Sequence, residues 1–151
     1  MNFEKTLLQI KNFRVSEEIE DYDVSEFFDV VIEELPDVNL LTKRQQEQLI
    51  KTLFEFLKIQ DPEMNENFSF IHFIENIDNP EYEIYYPELL KFNAENGIIT
   101  SILLLNRYIN SLEGSEWKKC LELMKSISEN KDYTGYVREF ALGFYEYQMG
   151  Q

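Results

Sequence analysis

Hydrophobic positions recur with helical spacing along most of the chain, most regularly after Thr42. Thr42-Lys43-Arg44-Gln45 has the form of a capping box, with Thr42 at the N-cap and Gln45 three residues on. Leu49, Ile50, Leu53, Phe54 and Leu57 follow at spacings of 1, 3, 1 and 3, which is one stripe of an amphipathic helix. Asp61-Pro62 ends it. Phe70, Phe73, Ile74 and Ile77 form a second stripe, closed by Asp78-Asn79-Pro80. Pro87 suits a first helical turn and Asn96-Gly97 a C-terminal cap, so a short helix is expected over Pro87–Glu95. From Ile98 to Leu112 apolar residues fall almost all round the helix, which predicts a place at the centre of the core. Gly114-Ser115 interrupts the chain. Trp117, Cys120, Leu121, Met124 and Ile127 then mark one stripe. Val137, Phe140, Ala141, Phe144 and Tyr145 mark another, after a turn at Asn130 to Thr134.

The first 40 residues are less regular. Phe3, Leu7, Leu8 and Ile10 to Phe13 fit a helix. Phe27, Phe28, Val31, Ile32 and Leu35 fit another, ended by Pro36, and residues 14–24 read as an acidic loop. The predicted fold is all-α: one domain over residues 1–151, with roughly seven to eight antiparallel helices packed in series across short linkers. Both a bundle and a short stack of HEAT or armadillo type satisfy this pattern. No residue-level repeat distinguishes them.

Composition narrows the class. The 151 residues are 44 % hydrophobic and 15 % aromatic, unlike a disordered acidic tail. No basic leader followed by an apolar run opens the sequence, and the apolar run around residue 100 is broken by Asn106 and Arg107, short of the roughly 20 residues that span a bilayer. The expected compartment is the cytoplasm. The single cysteine, Cys120, allows neither an internal disulfide nor a multi-cysteine metal site.

Charge changes the picture most. Val15 to Thr42 holds ten acids and Ile59 to Leu90 eight more, and neither stretch contains a Lys or Arg. The rest of the chain carries 14 basic and 11 acidic groups, so the two stretches hold −18 of formal charge against a net of −15. An acidic surface repels nucleic acid and anionic membrane and steers basic partners. Both stretches hold tyrosines, in Asp21-Tyr22-Asp23 and in Glu81-Tyr82-Glu83-Ile84-Tyr85-Tyr86, the latter expected in a loop beside Pro80. Tyrosine among carboxylates suits recognition of Lys and Arg, because the ring offers cation–π contact while carboxylates accept from guanidinium. The candidate partner-binding residues are therefore Asp21, Tyr22, Asp23, Glu33, Glu34 and Asp37 from the first stretch. From the second they are Glu75, Asp78, Glu81, Tyr82, Glu83, Tyr85 and Tyr86.

Chemistry-bearing patterns are sparse. His72, the one histidine, lies three residues from Glu75, a spacing that allows two metal ligands on one helical face. Zinc and di-metal sites need more ligands than that pair. Cys120, inside an apolar stripe, fits a small buried hydrophobe. There is no glycine-rich phosphate loop, no Gly-x-Ser-x-Gly and no His-Glu-x-x-His. The expectation is a binding protein without enzymatic activity, metal or cofactor.

The sections Asn67-Phe68-Ser69-Phe70-Ile71-His72-Phe73-Ile74-Glu75 and Leu104-Leu105-Asn106-Arg107-Tyr108-Ile109-Asn110-Ser111 resemble stretches of small acidic helical immunity proteins of bacterial polymorphic toxin and contact-dependent inhibition systems. That resemblance is one of general style, and it carries over no site residue. It implies stoichiometric blockade of a cognate toxin domain, in many systems a basic nuclease. Two other classes stay open: a helical-repeat scaffold or adaptor, and a nucleic-acid mimic that inhibits a DNA-binding protein.

Overall fold

A computed structural model describes residues 3–14, 21–59, 62–63 and 68–150, with only the backbone given for 21–23. The described residues form eight α-helices: α1 (Phe3–Asn12), α2 (Asp21–Glu33), α3 (Lys43–Lys58), α4 (Phe68–Asn76), α5 (Tyr85–Glu95), α6 (Ile99–Ile109), α7 (Gly114–Glu129) and α8 (Gly135–Met149). A 3₁₀ turn at Val38–Leu40 precedes α3. No strand occurs among them, and no described helix is long and apolar enough to cross a membrane.

Local sequence explains most helix boundaries. Thr42 Oγ1 accepts from the Gln45 backbone N–H at 3.1 Å while Gln45 Oε1 accepts from the Thr42 N–H at 3.0 Å, closing the expected capping box. Thr134 caps α8 through Val137 N–H. Gly114 opens α7 at φ +65°, a left-handed conformation that only glycine adopts without penalty. α5 ends at Glu95 with Asn96 at the expected C-cap, its backbone N–H and Nδ2 both donating to Phe92 O, and Gly97 has a further role: a Cβ there would lie 2.5 Å from the Tyr133 ring. Glycine lets that ring pack directly on the backbone.

Two boundaries differ from expectation. α2 begins at Asp21, so the 21–24 part of the expected loop is helical; 15–20 lie outside the described residues. The turn of Val24, Phe28 and Val31, all buried, extends the apolar stripe one step earlier than Phe27. α5 begins at Tyr85, so Tyr85 and Tyr86 are helical and not part of a loop.

Two hydrophobic clusters fill the interior. The larger joins α1 to α5, and Phe28 is central to it: its ring lies 5.9, 5.2 and 6.0 Å from those of Phe56, Phe70 and Phe73. The smaller joins α6, α7 and α8 through Ile102, Leu105, Met124 and Ala141. α6 serves both. Leu104 faces the first cluster, whereas Ile99, Ile102, Leu105 and Ile109 face the second. Its near-continuous apolar sequence is what a helix between two cores requires. Helices α5 to α8 pack on their sequence neighbours, as short linkers predict. In the N-terminal half the main contacts instead pair α1 with α3, α2 with α4 and α3 with α5. Serial packing therefore holds for only half of the chain.

Buried polar groups tie the second cluster together. Gln148 Nε2 on α8 donates to Asn106 Oδ1 at 3.0 Å and Asn110 Oδ1 at 2.6 Å, and its Oε1 accepts from Trp117 Nε1 at 3.3 Å. One side chain thus links α6, α7 and α8, where the sequence stripe showed only apolar residues.

Candidate functional site

The segment from Ile77 to Tyr86 is organised by Asp78. Its carboxylate is fully buried, and Oδ2 accepts from the backbone N–H groups of Ile84 at 2.6 Å and Tyr85 at 3.0 Å. Ile84, at the N-cap of α5, offers no side-chain acceptor, so Asp78 caps the helix from six residues away. Its Oδ1 also receives Lys43 Nζ at 3.3 Å. The backbone between α4 and α5 folds tightly over this carboxylate, with Tyr82 at φ +55°.

Glu75 is likewise engaged. Arg107 of α6 donates Nε and Nη2 to its two oxygens, both at 2.8 Å, a bidentate pair between α4 and α6. That hydrogen-bonded carboxylate holds Arg107 above its ordinary pKa. The sequence shows the second acidic stretch without a basic residue. In space Arg107 and Lys43, from outside it, neutralise two of its carboxylates, and Lys51 approaches Glu88 at 3.9 Å.

Three tyrosines stack beside the Glu75–Arg107 pair. Tyr86 lies 4.5 Å from Tyr82 and 3.9 Å from Tyr108, measured between ring centroids. Tyr108 comes from α6 and was not among the expected site residues. It follows Arg107 directly, and no sequence signal ties it to residues 82–86. Together with His72, Asn76, Tyr85 and Leu104 these side chains line a recess of about 300 Å³. Tyr85 is 1 % exposed, and its hydroxyl has no hydrogen-bond partner among the described residues. Burial, with a contribution from negative Glu75, pushes its phenol well above the ordinary value; burial also raises Tyr86 and Tyr108.

The other expected residues divide into two groups. Glu33, Glu34, Asp37, Glu81 and Glu83 are exposed, and none forms an ion pair among the described residues. Asp37 also accepts from Asn39 N–H at 2.9 Å, shaping the turn before α3. The side chains of Asp21, Tyr22 and Asp23 lie outside the described residues. Lys43, just past the first stretch, bridges to Asp78 inside the second, and α2 packs on α4, so parts of the two acidic stretches are neighbours in the fold.

Elsewhere, Cys120 is 2 % exposed, and burial pushes its thiol up, the opposite of an activated nucleophile. His72 is exposed on α4, and the Glu75 carboxylate it was matched with is turned to Arg107. What fold and site define is an all-helical protein with a tyrosine-lined recess beside exposed, unpaired carboxylates. No protein family, curated protein or solved structure matches the chain.

Proposed function

We propose that this protein is a non-enzymatic inhibitor of the immunity type, which binds a basic protein partner through the region where its two acidic stretches meet. The chief support is the set of exposed carboxylates Glu33, Glu34, Asp37, Glu81 and Glu83, none ion-paired among the described residues, in two stretches that the packing of α2 on α4 holds together. Asp78, by contrast, serves the fold and is dropped from the charge-steering set, and Glu75 is already paired with Arg107 in the wall of the recess. The five remaining charges steer a basic surface inward, and the Tyr82–Tyr86–Tyr108 stack supplies aromatic area for the docked state. If the partner is a nuclease toxin domain, the carboxylates occupy the positions of nucleic-acid phosphates, and blockade is stoichiometric.

The test is capture from the native host at low salt, followed by association kinetics at increasing ionic strength. The expected outcome is one stoichiometric basic domain whose on-rate falls steeply with salt while its off-rate changes little. Neutralising the five carboxylates together (E33Q, E34Q, D37N, E81Q, E83Q) should slow association at least about tenfold, within the range that electrostatic steering spans. A salt-independent on-rate would refute steering. Many weakly held basic proteins would identify a nucleic-acid mimic. Binding unaffected by neutralisation would identify an adaptor that uses another surface.

A further inference from the structure

Of the features around the acidic region, the recess at His72, Glu75, Tyr82, Tyr85, Tyr86 and Tyr108 carries a second conclusion. At about 300 Å³ it is at the small end of ligand cavities, which run from roughly 300 to 1,000 Å³, and it suits a side chain or a metabolite-sized group. Its defining atom is the Tyr85 hydroxyl, which is buried and has no partner among the described residues. Tyr85 lines the recess together with Glu75 and Arg107, the charged groups that act on its hydroxyl, and with Tyr82 and Tyr86. Buried hydroxyls are normally satisfied, and one without a partner in the wall of a recess calls for one.

The lining specifies that partner's chemistry. Ring faces are presented by the tyrosine stack. Acceptors are Tyr85 Oη and the lone pairs of Glu75 that Arg107 does not occupy. Arg107 already gives Nε and Nη2 to Glu75, so its charge is offset within the wall. Exposed Glu81 and Glu83 flank Tyr82 in the same turn, and the whole chain carries −15, which disfavours an anion. A planar cation that stacks on tyrosine while donating several in-plane N–H bonds satisfies all of these at once, which describes a guanidinium better than an ammonium.

We propose that this recess binds a guanidinium group through Tyr85 Oη, Glu75 and the tyrosine faces. The group arrives either as an arginine side chain of the basic partner or as a free guanidino compound. The first source rests on the inhibitor function proposed above; the second does not.

The probes are agmatine, putrescine and inorganic phosphate, each titrated into the intact protein. His72 is the only histidine, so its ring NMR signals report directly on the recess. Agmatine is expected to shift them saturably, putrescine to do so more weakly, and phosphate not at all. Tyr85→Phe removes only the orphan hydroxyl. It should leave thermal stability unchanged or slightly raised, because no internal hydrogen bond is lost, and should weaken agmatine binding about tenfold. Saturation at micromolar agmatine identifies a free compound as the ligand. Saturation only at millimolar agmatine, with displacement by the captured basic domain, identifies a partner arginine. Absence of any agmatine response, a response to phosphate instead, or equal affinity in Tyr85→Phe overturns the proposal. Agmatine binding that persists when the five-carboxylate variant leaves partner association unchanged would refute the inhibitor function alone.

Discussion

Replacing Asp78 by alanine should be among the most damaging single changes in this protein. Two backbone donors, Ile84 N–H and Tyr85 N–H, point at one carboxylate oxygen, at 2.6 and 3.0 Å, and the Tyr85 bond is buried. Alanine leaves both without an acceptor. Loss of an N-cap costs about 0.5–2 kcal/mol, and each hydrogen bond to an ionised group contributes about 1.5–3 kcal/mol. Ile84 N–H is only partly buried and water can reach it, so a total of about 3 kcal/mol is expected rather than the sum of the upper limits. The Lys43 bridge adds little, because the Lys43 side chain is 59 % exposed and pairs of that kind contribute about 0–1 kcal/mol. Domains of this size have about 5–15 kcal/mol in total. Asp78→Ala should therefore lower Tm by about 6–12 °C, at roughly 2–4 °C per kcal/mol. Asp78→Asn retains one acceptor oxygen and should fall between. Guanidinium denaturation of the wild type, both Asp78 variants and Lys43→Met provides the assay. A loss below about 1 kcal/mol for Asp78→Ala, or an equal loss for Lys43→Met, would show that the buried carboxylate does not hold α5 in place.

Two further tests address packing and titration. Gly97→Ala should cost about 1–3 kcal/mol, the usual cost of overpacking, because its Cβ would meet Tyr133 ring carbons at 2.5 Å. In a Tyr133→Ala background the same change should cost almost nothing, and equal costs in a double-mutant cycle would discount the contact. Unfolding free energy should also fall as pH rises above about 10, the ordinary tyrosine value. Tyr85 keeps its proton in the folded state, because burial and Glu75 raise its pKa, while the unfolded chain releases it; the unfolded state then binds fewer protons, so stability decreases with pH. Tyr85→Phe should flatten this alkaline decline in denaturation midpoints measured between about pH 8 and 11, and an undiminished slope would point to other phenols or to Cys120.

Much of the fold is legible in short-range pattern. The Thr42–Gln45 box, the α3 stripe and the two-sided burial of α6 all follow from residues within one or two helical turns, where sequence spacing maps directly onto direction. What escapes is set by contacts between distant residues. Arg107 and Glu75 are 32 positions apart, and nothing local shows that one answers the other. Asp78 reads as one more acid in an acidic run, yet it is consumed as a cap. Gln148 ends an apolar stripe and becomes its polar hub. At the early start of α2 the sequence offers one aliphatic residue, Val24, which is buried, and a lone aliphatic among acids is too weak a periodic signal to mark a helix. For the site, the tyrosines at 82, 85 and 86 were visible as a cluster. Tyr108, which completes the stack, could only be found from the packing of α6 against α5.

The position of α6 between two cores bears on how this sequence can change over time. A substitution at the surface of α1 or α8 answers to one set of neighbours. One at Leu104 or Leu105 answers to the opposite sides of a shared wall, where a gain in volume for one cluster shifts the helix into the other. Arg107 and Tyr108 occur on that same wall and reach the recess from it. The tyrosine-lined opening is thus mounted on a tightly constrained helix, while Glu81 and Glu83, exposed beside Tyr82 and free of ion pairs among the described residues, can be exchanged with little structural consequence. Such a division lets the charge pattern be rewritten for a new partner while the frame that presents it stays the same.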